Sequence, residues 1–253
     1  GIRDPLWSRG RGDVYKRQEY ASRIDLSTVA SGYYTATGAY GKGVRGGDIK
    51  YLDLNGDNIV NGGKGTLDDP GDRRVIGNSS PRYQYGASLN FSWYGFDVSV
   101  FMQGIGRLDW YPGADNLRFW GPYCRPYATF VPKNFMSQVW SEENPDAYFP
   151  RARAYTSLNS NSGTAYYTND RYLQNLAYCR LKNLTIGYTI PRRLTSKVGI
   201  KECRIYFSGE NLATWSALKS DFLDPEQAAA DSDKKANVYP WCKTYSIGLN
   251  LTF

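Results

Sequence analysis

Histidine is absent from all 253 residues. Serine triads that use histidine, cysteine–histidine dyads and histidine-ligated zinc are therefore excluded within the chain. No apolar run reaches the roughly 18 residues that a transmembrane helix requires, and mean hydropathy is −0.56. That absence does not bear on a membrane β-barrel, in which apolar residues alternate with polar ones and average out. Cysteine is scarce, at 124, 179, 203 and 242 with no CxxC spacing, which argues against a zinc or thiol-redox motif. Cations are numerous but scattered: 31 Lys and Arg face 24 acids, for a net charge of +7, and no basic run exceeds two residues. Nucleic-acid recognition needs a concentrated basic patch, so the sequence predicts no nucleic-acid partner.

What is abundant points to β-structure. The chain holds 7 Trp, 22 Tyr, 10 Phe and 26 Gly, a mixture suited to aromatic girdles and tight turns. Its last stretch shows the pattern plainly. Tyr245, Ile247, Leu249, Leu251 and Phe253 alternate with Ser246, Gly248, Asn250 and Thr252, so that one face is apolar and the other polar. Such a run matches the 9 to 11 or so residues with which a tilted strand crosses a bilayer.

The same alternation recurs upstream. Tyr85, Ala87, Leu89, Phe91 and Trp93 share one face, a turn follows at Tyr94-Gly95, and Phe96, Val98, Val100 and Met102 return on the same face. This reads as an up-and-down hairpin. Leu184, Ile186, Tyr188 and Ile190 form a third run, ended by Pro191, and Cys203, Ile205 and Phe207 a fourth. Parity places Asp97, Gln103, Arg204 and Glu210 on the polar side, and Cys179 and Cys203 on opposite faces. The segments 105–177 and 213–244 break the alternation and read as long loops, the first with a short helix near 133–140. Short turns and long loops then fall at opposite ends of the strands, provided that 105–177 holds an even number of further strands.

Residues 1–18 carry four Arg and one Lys without strand or helix period. They resemble a translated sequencing adaptor and are expected to be a non-native leader, leaving 19–253 as the native portion. Residues 19–47 read as a surface loop. In the stretch GDIKYLDLNGDNIV at 47–60, Asp53, Asn55 and Asp57 stand at spacing two with the Ile59 carbonyl beyond them, as in the first half of a calcium loop. Asn58 occupies the usual glycine position and Lys64 the place of the bidentate glutamate. The pattern leaves two readings open, bound Ca2+ or a plain Asx-rich turn.

Several strings taken in order resemble the C-terminal part of the SusC/RagA family of TonB-dependent outer-membrane transporters. They are GDIKYLDLNGD at 47–57, DRRVIGNSSPRYQYGASLNFSWYGFDVSVFMQG at 72–104, YLQNLAYCRLKNLTIGYTIP at 172–191, GENLATWS at 209–216, DPE at 224–226 and YPWCKTYSIGLNLTF at 239–253. The resemblance implies an all-β fold, an antiparallel up-and-down transmembrane barrel of 22 strands, of which this chain would be an open fragment with long extracellular loops. It implies import of oligosaccharides or peptides, driven by the TonB complex acting on a plug that these strings do not include, and a SusD-like surface lipoprotein as lid. Outer-membrane lipid would surround the wall, the C-terminus would lie in the periplasm, and Phe253 would be read by the barrel-assembly machinery.

Four loop tryptophans, Trp110, Trp120, Trp140 and Trp241, are candidate stacking faces for sugar rings, with packing among the loops as the alternative. The acid pairs Glu142/Glu143 and Asp224/Glu226 read as exposed loop acids, not as a glycosidase pair, and no enzyme activity is expected. Cys124 and Cys242, both in outer loops, are candidates to pair. The competing fold is a soluble extracellular β-sandwich that binds carbohydrate, in which the apolar strand faces would be covered by a second sheet.

Overall fold

A computed structural model describes residues 5–9, 13–14, 45–124, 127, 129, 131–153, 158, 167–220, 223–230, 239 and 241–253. Most of the 19–47 loop lies outside the described residues. The chain divides into two units, one of 1–79, 109–174 and 231–237, the other of 80–108, 175–230 and 238–253.

The second unit is a five-stranded antiparallel sheet. Its strands are β5 (Arg82–Trp93), β6 (Phe96–Arg107), β9 (Tyr178–Thr189), β10 (Glu202–Ser216) and β11 (Thr244–Thr252), in spatial order β11-β10-β9-β6-β5. β5 and β6 are joined by a two-residue turn in which Tyr94 has φ 46° and Gly95 φ 88°, the doubly left-handed pair that matches the twist of a hairpin. β9 pairs directly with β6, so nothing from 108–177 enters this sheet among the described residues, and the evenness that parity required is met by zero. The sheet is open: no described strand pairs with the outer edge of β5 or of β11.

The ladder sorts the side chains into two faces. Phe91, Val98, Ile186, Phe207 and Ile247 stand opposite one another in succession across all five strands, as do Trp93, Phe96, Tyr188, Ile205 and Leu249. The neighbouring rows on the other face are Asn90, Ser99, Thr185, Ser208 and Ser246, and Ser92, Asp97, Gly187, Tyr206 and Gly248. Leu89, Phe91, Trp93, Ile186, Leu249 and Leu251 are all exposed. A sandwich would bury them, so the apolar face argues against the competing fold.

One parity expectation is corrected. The register shifts between Phe101 and Met102 on β6, where Lys182 is the extra residue of β9, and again between Glu210 and Ala213 on β10. Each shift is a bulge that resets the alternation. Cys179 thereby stands opposite Gly104 on the ladder that carries Tyr85, on the same face as Cys203, not the opposite one.

The first unit is built differently. Its strands are β1 (Pro5–Arg9), β2 (Asp13–Val14), β3 (Ile49–Lys50), β4 (Arg73–Asn78) and β7 (Asp109–Trp110), with the two-residue β8 (Gln174–Asn175) at the boundary. β1 pairs with β4 and β2 with β3, so stretches of the expected leader take part in strand pairing. Most of 109–174 is not an open loop but folds around aromatic rings. Asn116 caps the short helix α1 (Leu117–Trp120), its Oδ1 accepting the Phe119 N–H at 2.9 Å. That turn delivers Phe119 and Trp120 into a cluster with Tyr123, Phe135, Tyr148, Phe149 and Tyr172, with ring centroids 4.8 to 6.2 Å apart. The helix expected near 133–140 is a single 3-10 turn, Met136–Gln138. Burial pushes the Tyr111 and Tyr172 hydroxyls well above their ordinary range, which leaves them neutral hydrogen-bonding groups.

A buried ion pair ties the segment around β3 to the 109–174 part of this unit. Arg153 donates through Nε to Asp48 Oδ1 at 2.9 Å and through Nη2 to Oδ2, with both side chains out of water. Burial raises the Asp48 carboxyl above its ordinary range, with the Arg153 charge pulling it back. Removing one member of such a pair costs roughly 3 to 5 kcal/mol because the other charge stays buried. Arg153→Ala should therefore loosen this unit, measurable as faster proteolysis of the 45–60 and 131–153 segments, whereas the doubly apolar Asp48→Leu/Arg153→Met should lose much less.

Candidate functional site

The polar face of the sheet carries the richest chemistry among the described residues. At the short-turn end, Arg204 on β10 reaches across β9 to Asp97 on β6, Nε donating to Oδ1 at 2.9 Å and Nη2 to Oδ2 at 2.5 Å. The intervening residue on β9 is Gly187. A Cβ there would lie 2.5 Å from both Arg204 Nη2 and Asp97 Oδ1, so glycine is what lets a fork-to-carboxylate pair span three strands. The guanidinium also lies 5.0 Å from the Tyr206 ring centroid, and Tyr206 leans over Gly248. Asp97 and Arg204, expected on one face by parity, are there and paired.

Nearer the other end, Arg180 organises a second network. Opposite Gln103 and Thr214 on the ladder, it donates from Nε to Thr214 Oγ1 at 2.8 Å, from Nη1 to Glu226 Oε2 at 2.6 Å, and from Nη2 to Asp224 Oδ2. Lys182 Nζ and Gln103 Nε2 both donate to Glu226 Oε1, at 2.8 and 3.1 Å. The two acids belong to the mouth of a short helix, α3 (Pro225–Ala230). Asp224 Oδ1 accepts the Glu226 and Gln227 N–H groups, and Pro225 supplies the fixed φ that suits a first helical position. Arg180 is only 2% exposed. The 223–230 segment is thus clipped onto the polar face of the sheet, and Asp224 and Glu226 are not the free loop acids expected. Glu142 and Glu143, by contrast, are exposed.

The four tryptophans separate. Trp120 and Trp110 are buried, at 1% and 5%: Trp120 packs against Phe119 and Tyr172, with its indole N–H on Gly113 O at 2.9 Å. Trp140 is half-buried with its ring against Gly47, where a Cβ would meet it at 2.5 Å. Trp241 alone of the four is exposed, and Lys182 Nζ lies 4.7 Å from its ring. Its open face borders the Arg180 network, whose arginine sequence reasoning passed over. Two cations, Arg180 and Lys182, on the same sequence parity as Leu184 and Ile186 were the available signal of a bulge, but the acidic partners of Arg180 lie 44 and 46 residues away.

In the 53–59 stretch the oxygens are turned inward onto the backbone. Asp53 accepts the Gly56 and Asn58 N–H groups at 2.6 and 2.7 Å, Asn55 Oδ1 that of Asp57, and Asp57 Oδ1 that of Ile59. The Ile59 carbonyl accepts from Asn61 Nδ2. Asn58 takes φ 64°, as its place in the pattern requires. The buried Asp72 closes the loop by accepting Leu54 N and Asn61 N, each at 2.6 Å. This is an Asx-turn ladder, and among the described residues no three His, Cys, Asp or Glu side chains gather as a metal site. All four cysteines are free, Cys124 lying in the first unit and Cys242 in the second.

No family model matches the chain. Among curated proteins it is similar to TonB-dependent receptor P26 of Formosa agariphila, 28% identical over 215 residues, which is 82% of this chain and 20% of the relative. TonB-dependent receptor P3 of the same organism is 27% identical over 217 residues, 82% of this chain and 19% of that relative. The chain thus spans about a fifth of the length of the curated relatives it matches. Among solved structures, the RagAB peptide transporter shares the fold at TM-score 0.60 and 20% identity, over 98% of this chain and 22% of that one. The RagAB importer in its closed-closed state does so at 0.53 and 19%, over 100% of this chain and 23% of that one. The resemblance to TonB-dependent transporters carried by the sequence strings is what both comparisons return, and the relatives are receptors and transporters rather than enzymes.

The Arg180 clip gives a direct test. Arg180→Ala removes one donor from each of two partly buried carboxylates and a third from Thr214 Oγ1, a loss of roughly 3 kcal/mol for a broken buried pair. The 223–230 segment should then be cut faster in limited proteolysis of the purified protein. Arg180→Lys should restore only part of the protection, because a point charge cannot reproduce the fork.

Proposed function

Because the chain is similar to TonB-dependent receptors over most of its length, we propose that it forms part of the wall and mouth of an outer-membrane TonB-dependent importer. In this reading the apolar face meets lipid and the polar face lines the passage. The short turn at 94–95 and the 190–201 connection lie in the periplasm, and the long excursions 108–177 and 217–243 lie at the cell surface. The remaining strands, to make 22, come from the rest of the protein, as does the plug on which the TonB complex pulls. A SusD-like surface lipoprotein covers the mouth, and Phe253 presents the assembly signal.

The observation that carries the reading is the sorting of the ladder, with five successive strands apolar and exposed on one face and polar on the other. Water would not tolerate so extended an apolar face, whereas hydrocarbon requires one. The cargo is an oligosaccharide or a peptide. Trp241 supplies an aromatic face beside Lys182 and the Arg180 network, a combination able to stack on a sugar or hold a peptide. The Asp53, Asn55, Asp57 and Ile59 stretch serves as a self-capped turn, with Ca2+ uptake the alternative that calorimetry on the full-length protein decides.

Leu89→Arg places a cation on the exposed apolar face in the row of Leu89, Val100 and Leu184, two apolar rows in from the Trp93, Phe96 and Tyr188 row at the end of the strands. In the full-length protein folded into lipid it should cost about 2 to 4 kcal/mol, read from urea unfolding in liposomes. If the protein partitions into the aqueous phase and tolerates this change, the importer reading fails.

A further inference from the structure

The connection between β9 and β10 is more than a turn. Pro191 opens a helical turn, α2 (Arg192–Thr195), followed by a 3-10 turn over Ser196–Val198, and Gly199 at φ 76° ends it. One side chain of these two turns, that of Thr195, is buried. Its Oγ1 donates to Arg192 O, while Ile200 N donates to the Thr195 carbonyl at 3.2 Å. Pinned there, the connection turns the rest of itself outward. Leu194 and Val198, one helical turn apart, are 59% and 70% exposed.

Around these two apolar side chains stand Arg192, Arg193, Lys197 and Lys201, all exposed. None of the four is ion-paired to a described residue. Residues 191–201 contain no acid. The next one, Glu202, stands opposite Thr252 and two residues before Arg204, which puts it on the polar face of the sheet. The connection also adjoins the apolar face. Thr189 N donates to Gly95 O and Lys201 N to Thr252 O, so the same end of the sheet carries Trp93 and Tyr94, two exposed aromatics. An apolar pair, four unpaired cations and an aromatic rim form the composition of a segment lying in a membrane interface. Long basic side chains there keep their stems in the apolar layer and their heads in the headgroup layer.

We propose that the 190–201 connection is a headgroup site for anionic phospholipid of the inner leaflet. Leu194 and Val198 sit at the acyl boundary, and Arg192, Arg193, Lys197 and Lys201 hold the lipid phosphates. The inference rests on the reading above that the apolar face meets lipid with this end in the periplasm, and it adds a lipid class and the residues that choose it.

The test uses the full-length protein in nanodiscs of phosphatidylcholine containing phosphatidylglycerol, with co-purifying lipid counted by native mass spectrometry. Wild type should enrich phosphatidylglycerol over the bulk mixture by at least about fivefold, the factor for a single interfacial cation. Arg192→Gln/Arg193→Gln/Lys197→Gln/Lys201→Gln should abolish the enrichment, and the two halves of that variant should each lose part of it, which keeps the test open if the quadruple change misfolds. Lys64→Gln/Lys133→Gln should leave it intact. No enrichment in wild type, or enrichment that survives in the folded quadruple variant, overturns the proposal. Resistance to carbonate extraction is scored in parallel: protein that stays in the membrane without lipid preference sinks only this inference, whereas protein that washes off sinks the importer reading with it.

Discussion

Backbone pairing is the constraint on which the sheet depends, and in the importer reading it operates in a medium without water. Each N–H and C=O left unpaired in hydrocarbon costs several kcal/mol, so the strand has one option, a neighbour on each side in fixed register. From that requirement the alternation follows. Once Phe91 stands opposite Val98 and Val98 opposite Ile186, every second residue on all five strands is committed to one solvent, and a one-residue slip would exchange the faces. The two bulges are the permitted exceptions. They fall side by side, at Lys182 and at 211–212, so that neighbouring strands step together and pairing continues above them.

The polar face uses the freedom that the ladder leaves to side chains. Small residues on this face are not filler: Gly187 clears the path between Arg204 and Asp97, and Gly248 receives the Tyr206 ring. Asp97, Arg180, Lys182 and Arg204 there are bound to opposite charges, and Thr214 and Gln103 complete the network. The clip on α3 extends the same chemistry to a surface loop. Because Arg180 serves two carboxylates through a planar fork, the helix it holds is fixed in direction as well as in distance.

How much of this was legible follows from range. Period-two alternation is local, so the five strands, the Tyr94-Gly95 turn and the membership of each face could be read within a residue or two at most ends. Bulges are set by the partner strand, and therefore the side of Cys179 was misread. The Arg180 network joins residues 44 and 46 apart through a loop without period, and no local string announces it. The tryptophans show a different limit. Composition registers that aromatics are present but not whether they face inward, and Trp120 and Trp241 look alike in sequence while one is 1% exposed and the other 49%.

In the importer reading that difference reflects two solvents acting on one composition. There the apolar residues of the sheet stabilise by facing lipid, and aromatic rings such as Trp93, Phe96 and Tyr188 gather in one row at the end of the strands. The first unit has no such outlet. To fold in water it must bury its apolar area against itself, at about 25 cal/mol for each Å² removed from solvent, and with short strands and one-turn helices it has little regular surface to do so. Large rings are the economical answer, since each brings 150 to 250 Å² of area, as an order of magnitude, and its hydroxyl or indole N–H can still find a carbonyl. Tyr123 on Pro150 O, Tyr172 on Tyr148 O and Trp120 on Gly113 O do so. The long excursion therefore reads as aperiodic for a physical reason: its core is held by ring-to-ring contact and side-chain-to-carbonyl bonds, neither of which repeats along the chain.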